Sequence, residues 1–137
     1  MCPRARLARV LSYTIKNLRE TKDSAPEFGL DEFGEAHFPR EELESSSIGL
    51  AYHVFRPGKR SAFGHRHERA EEIYVVLSGG GRIRLDDDVQ EIEPLDAIRV
   101  APEVVRAFEA GPEGLSVLAF GPRHGGDGEI LQGFWTA

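Results

Sequence analysis

The sequence predicts an all-β domain, a barrel or double-sheet jelly roll, and three observations lead there. Fifteen glycines and eight prolines punctuate the chain at short intervals. The runs between them alternate apolar and polar residues with period two. No segment longer than one or two turns carries the 3.6-residue apolar pattern of a helix. About ten short strands joined by tight turns are what a closed or doubly layered sheet requires.

In chain order, residues 13–17 read as an edge strand. Residues 23–33, with Pro26 and Gly29, read as a covering loop, and residues 34–38 as a second strand. Residues 40–44 fit one helical turn. Ile48, Leu50, Tyr52 and Val54 then alternate with Gly49, Ala51, His53 and Phe55 until Pro57-Gly58 stops the strand. Strands are expected at 64–67 and 72–77, a glycine turn at 79–81, and a strand at 82–85. Asp86-Asp87-Asp88 is a hairpin turn. Strands at 89–92, 96–100, 106–109 and 115–120 complete the series, and residues 121–128 read as a flexible loop. No internal repeat is present, so the domain occurs once.

A chain of 137 residues is one domain, expected over residues 13–137 after a flexible extension at 1–12. A domain of this size buries roughly two-thirds of its unfolded surface, enough for a core around a pocket. No apolar run approaches the roughly 20 residues that span a bilayer. The start is basic without a following apolar stretch, so it does not read as a secretory signal. The single cysteine, Cys2, allows no intramolecular disulfide, which fits the cytoplasm. Seventeen basic and 23 acidic residues give a net charge of −6. They form no basic stripe, so neither nucleic acid nor a membrane is expected as a partner.

The chemistry lies in residues 58–79, GKRSAFGHRHERAEEIYVVLSG. His65 and His67 are two apart, and on a strand positions i and i+2 share a face about 6.6 Å apart. Two imidazoles so placed can converge on one ion through bonds of about 2.0–2.1 Å. Glu72 follows a loop short enough to return the next strand alongside. Glu72, Tyr74 and Val76 then share the histidine face, while Ile73, Val75 and Leu77 take the other. Two histidines and one carboxylate leave coordination positions open for water or substrate. Glu71 falls on the opposite face and is expected to be a solvated charge.

At these residues the sequence resembles the cupin superfamily, whose first motif is G, a gap, H-x-H, three or four residues, E, six residues, G. Gly58, His65, His67, Glu72 and Gly79 match it. The second motif, P-x-G-D, an apolar strand, proline and a later histidine, is matched by Pro94, Asp96 and Pro102. Leu95 stands at its glycine and Arg106 at its histidine. The resemblance covers roughly residues 45–121. It implies a jelly-roll barrel with the site in its bowl, a divalent ion on His65, His67 and Glu72, and a homodimer. It does not distinguish Fe, Mn, Zn or Ni.

Arginine has no lone pair to offer a cation, so Arg106 opens three outcomes. The ion is held by the other three residues, Arg106 pairs with Glu72 in a metal-free barrel, or Arg106 faces the bowl as a substrate-binding anchor for an anion. A direct contact with Glu72 within about 3 Å would count against the anchor. Tyr74 is a candidate general acid or a hydrogen-bonded wall residue, and His124 a candidate fourth ligand or proton donor from its loop. His53 is expected in the barrel wall, His37 at the surface, and Phe134 and Trp135 against the barrel or a partner subunit.

Function follows only coarsely, because the fold hosts many chemistries. The reading is a metal-binding protein acting on, or binding, a small anionic metabolite. As an enzyme it would be a metal-dependent isomerase, epimerase or dioxygenase. The alternatives are a non-enzymatic sensor or storage barrel and a metal-free structural dimer.

Overall fold

The structure, a computed structural model, describes residues 12–136. The basic start and Cys2 lie outside the described residues. Eight strands are formed: β1 (Gly34–His37), β2 (Ile48–Phe55), β3 (Phe63–His67), β4 (Glu72–Leu85), β5 (Asp88–Ile92), β6 (Ala97–Val100), β7 (Arg106–Pro122) and β8 (Gly128–Gln132). The only helical elements among the described residues are single 3₁₀ turns at Leu18–Glu20 and Pro26–Phe28. All pairings are antiparallel, in the order β1-β2-β7-β3-β8, with β4 pairing β5, β6 and β7. The sheet curls on itself as the bowl of a double-stranded β-helix.

β4 and β7 run beside each other for their whole length, from Ile73 opposite Phe120 to Leu85 opposite Arg106. Each was expected as two strands. The glycines at 79–81 and the segment 110–114 do not turn the chain; they shift the register, at Val76/Ser78 and Gly79/Gly81. Gly79 has φ +73°, and a Cβ there would sit 2.0 Å from the Gly114 carbonyl oxygen. A bulge of this kind bends a strand without ending it, so the two long strands pass through both halves of the barrel.

The alternation read from the sequence sets the core. Tyr74 and Val76 of β4 are buried while Leu77 is exposed. They pack with Ile83, Val100, Phe108, Leu115 and Val117, each contributing roughly 1.5–3 kcal/mol by leaving water. Residues 40–44 form the single turn expected, closed by Leu43 N–H donating to Pro39 O at 2.8 Å. Residues 23–33 are a covering loop, with Phe28, Leu30 and Phe33 over a cavity.

Two further expectations are corrected. Residues 13–17 make no strand: Tyr13 and Ile15 are 68% and 84% exposed, because alternation alone supplies no neighbour to complete a ladder. β8, where no strand was expected, pairs with β3, His65 opposite Ile130, and the expected loop lies between β7 and β8. His37 is 1% exposed rather than superficial. Its Nδ1 lies 3.1 Å from the Thr21 hydroxyl and its Nε2 2.9 Å from Glu35, because residues 21–25 fold back over β1. Trp135 and Phe134 pack on the barrel, under the guanidinium groups of Arg60 at 5.0 Å and Arg84 at 4.2 Å.

Candidate metal centre

β3 carries His65 and His67 on one side, their rings 5.3 Å apart and nearly perpendicular. The loop 68–71 returns the chain so that β4 opens on Glu72. Its Oε1 lies 3.4 Å from His65 Nε2 and 3.2 Å from His67 Nε2. Two ligand bonds of about 2.0–2.1 Å leave donor atoms about 3 Å apart, so this spacing fits a shared ion. Two imidazole nitrogens and one carboxylate oxygen also suit divalent transition ions in their chemistry. Among the described residues no other group of three such side chains comes together. Glu71 instead points away and pairs with Arg99 at 3.2 Å.

The same Oε1 accepts the Tyr74 hydroxyl at 2.7 Å. Burial raises the Glu72 carboxyl, but hydrogen bonds from His65, His67 and Tyr74 outweigh it and hold the group well below the usual carboxylate range. Burial, with the Glu72 charge beside it, drives the Tyr74 hydroxyl far up, so it stays protonated. Tyr74 is a donor in this setting and not a base.

Arg106 stands opposite His65 in the β3–β7 ladder and is fully buried. Its Nε donates to the Tyr74 hydroxyl at 3.2 Å, and its Nη1 to the carbonyls of Pro102 and Val104 at 3.2 and 2.7 Å. Its Nη2 makes no hydrogen bond and lies 3.2 Å from Glu72 Oε1. That nitrogen is therefore ion-paired with Glu72, the direct contact that counts against a free anchor for an anion.

Asp127 was not singled out in the sequence, where it reads as part of a glycine-rich loop. Its side chain is 2% exposed. It accepts the backbone N–H groups of Arg69 and Ala70, both at 2.9 Å, and so holds the loop between β3 and β4. Its Oδ2 lies 3.3 Å from His67 Nδ1. His67 Nδ1 makes no hydrogen bond at this distance, yet a carboxylate behind a histidine is the arrangement that orients a ligating ring. The only sequence signal was an acceptor among the glycines of Gly125-Gly126-Asp127-Gly128. His124 is not in the cluster.

His65, Tyr74 and Arg106 form part of the wall of a cavity of about 560 Å³ that opens beneath the covering loop. His53 lies in the same wall, as expected. A second cavity of about 530 Å³, where β4 and β7 change register, shares no lining residue with the first.

Residues 51–120 match the family described as the cupin domain. The chain belongs to the cupin family. An uncharacterized protein of Methanocaldococcus jannaschii is 34% identical to this cupin over 71 residues, 50% of this chain and 57% of that protein. The match thus spans little more than half of that relative's length. In fold, this cupin is similar to the polyketide cyclase RemF from Streptomyces resistomycificus, with a TM-score of 0.69 at 19% identity, covering 88% of this chain and 85% of that one. It is also similar to a putative sugar phosphate isomerase from Acidithiobacillus ferrooxidans, with a TM-score of 0.59 at 26% identity, covering 66% and 59%.

Both departures from the cupin motifs have structural consequences. Arg106 brings a cation to the carboxylate where the motif has a further ligand. Leu95, at the glycine position, has φ +74° and is 83% exposed, a left-handed conformation that a side chain makes costly.

Proposed function

We propose that this cupin holds a divalent ion on His65, His67 and Glu72 and acts on, or binds, a small metabolite in the adjoining cavity. The observation that supports this reading is the meeting of three donor atoms beside a cavity of about 560 Å³. Bound there, the ion would supply Lewis-acid polarisation, or oxygen activation if it is Fe(II). The chain's own residues do the rest. Asp127 orients His67, Tyr74 donates a hydrogen bond to Glu72, and Arg106 holds Tyr74 in place. Arg106 Nη2, paired with Glu72 at 3.2 Å, would meet an anionic ligand once a bound ion has taken that carboxylate. Isomerase or epimerase chemistry is supported by the likeness to the putative sugar phosphate isomerase, and the facial donor set equally suits a dioxygenase. His124 is not needed in either scheme.

The test is elemental analysis of protein purified without affinity-tag metal, with add-back of Fe(II), Mn(II), Zn(II) and Ni(II). One ion per chain is expected. Turnover under air and under nitrogen then separates oxygenase from isomerase. A second reading, a metal-free binding barrel, is favoured by the 3.2 Å approach of Arg106 to Glu72. Protein that stays metal-free after add-back would establish it over the first.

The protein is also proposed to be a cytoplasmic homodimer. Among the described residues no helix is long and apolar enough to cross a membrane. Residues 13–17, with Tyr13 and Ile15 exposed and unpaired in a ladder, are the segment offered to a partner sheet. Sedimentation at micromolar concentration should give a dimer, and a monomer would overturn this part of the reading.

A further inference from the structure

The cavity beside His65 is walled largely by rings, with Ser61 and Gln132 supplying a hydroxyl and an amide beside the Tyr74 hydroxyl. Phe38 meets His53 edge-on at 5.6 Å, His53 stacks on Phe55 at 6.0 Å, Phe55 packs on Phe108 at 5.6 Å, and Phe108 meets Tyr74 edge-on at 5.1 Å. The run is continuous from the mouth, where Phe38 is 51% exposed, to Tyr74, whose hydroxyl reaches Glu72. Phe28, 65% exposed, and Ile130, 57% exposed, also line the cavity. Exposed apolar groups gathered at a concave opening mark a ligand entrance.

Charge along the wall is sparse. Arg106 is the one Lys or Arg among the described residues lining the cavity, and its Nη2 is already paired with Glu72. A phosphate dianion would find no second cation there, and the one present lies 3.2 Å from the Glu72 carboxylate. A sugar ring would find few polar side chains, Glu35, Ser61 and Gln132 among them, to pair its several hydroxyls.

We propose that the cavity binds a planar aromatic molecule, its ring between the phenyl groups and one carboxylate or phenolate oxygen turned toward His65, Tyr74 and Arg106. Offset and edge-to-face contacts of the kind already present among these side chains would hold the ring. This names a substrate class for the site proposed above and rests on that reading for the direction of the polar edge. Binding of the ring itself does not require the ion.

Calorimetric titration with three probes tests it: 2-naphthoate, cyclohexanecarboxylate and glucose 6-phosphate, each against metal-loaded and chelated protein. Naphthoate should bind about two- to tenfold more tightly than cyclohexanecarboxylate, the size of one aromatic pairing, and glucose 6-phosphate should give no heat. Phe38→Ala and Phe28→Ala lie at the exposed rim, where folding is least at risk. The first should weaken naphthoate by about tenfold. Equal affinity for the two ring acids, tighter binding of glucose 6-phosphate, no binding of any probe, or no effect of either rim variant overturns the proposal. Naphthoate binding that persists in a protein shown to take up no ion would retire the metal reading and keep this one. A protein that binds the ion but not naphthoate does the reverse.

Discussion

Glu72 Oε1 and Arg106 Nη2 lie 3.2 Å apart, inside a barrel wall where the arginine is fully buried. The carboxylate that would serve a cation thus already has one beside it. A buried charge left without its partner is strongly destabilising, so either an ion or Arg106 must face Glu72. In the chelated protein Arg106→Leu is therefore expected to cost about 3–5 kcal/mol, and added metal should restore part of that loss. Arg106→His should instead raise metal affinity, since it puts a donor where a competing cation stood. Denaturant titrations with and without chelator, together with metal titration of the histidine variant, check both. Unchanged metal affinity in Arg106→His would mean that the guanidinium does not compete.

His65→Ala and His67→Ala should destabilise the protein mainly when metal is present. An ion that binds only the folded state adds about 2.7 kcal/mol at about 100 times its Kd, and losing a ligand removes most of that. Melting curves over a series of metal concentrations should converge for wild type and variants as the metal is withdrawn. Equal losses in chelator would make the histidines packing residues.

Asp127→Asn should lower metal affinity by roughly 10–100-fold, the usual effect of removing a carboxylate behind a ligating histidine. It should also loosen the loop that Asp127 holds through Arg69 and Ala70. Competition with a chromophoric chelator measures the first effect and amide hydrogen exchange at 68–71 the second. A loosened loop with unaltered affinity would confine Asp127 to the loop.

Leu95→Gly should stabilise the protein. The left-handed conformation costs a side chain about 1–2 kcal/mol, and the leucine is 83% exposed, so little packing is lost. Glycine's greater freedom in the unfolded chain offsets some of the gain, leaving about 0.5–1 kcal/mol. A melting temperature at or below that of the wild type would contradict this.

Acid should weaken the cluster at Glu109. The hydrogen bond from Arg60, at 2.6 Å, outweighs burial and, with Arg82, holds its carboxyl below the ordinary value near 4.5. A carboxyl lowered in the folded state stabilises above its unfolded pKa, and that contribution disappears as pH falls through the folded value. Glu109→Gln should therefore cost up to about 1 kcal/mol at pH 7 and less at pH 3. Denaturant midpoints at the two pH values would show parallel losses if the charge were irrelevant.

What the sequence determined by itself was whatever repeats locally along a backbone. The two-residue spacing of His65 and His67 put both rings on one face of β3, and period two carried Glu72 and Tyr74 inward and Leu77 outward. Those relations hold for any strand, whichever strand lies beside it. Only the tertiary structure decided the rest, because it depends on neighbours distant in the chain. Asp127 reaches Ala70 across 57 positions, a separation that no spacing rule spans. β8 exists because β3 offers it an edge, whereas residues 13–17 found none. Gly79 reads as a turn until Gly114 is seen 2.0 Å from where a side chain would stand. His37 and Arg106 are both polar residues on strands, and their sequence positions say little of what covers them. Segment 21–25 buries the first, and the carbonyls of Pro102 and Val104, the Tyr74 hydroxyl and the Glu72 carboxylate surround the second.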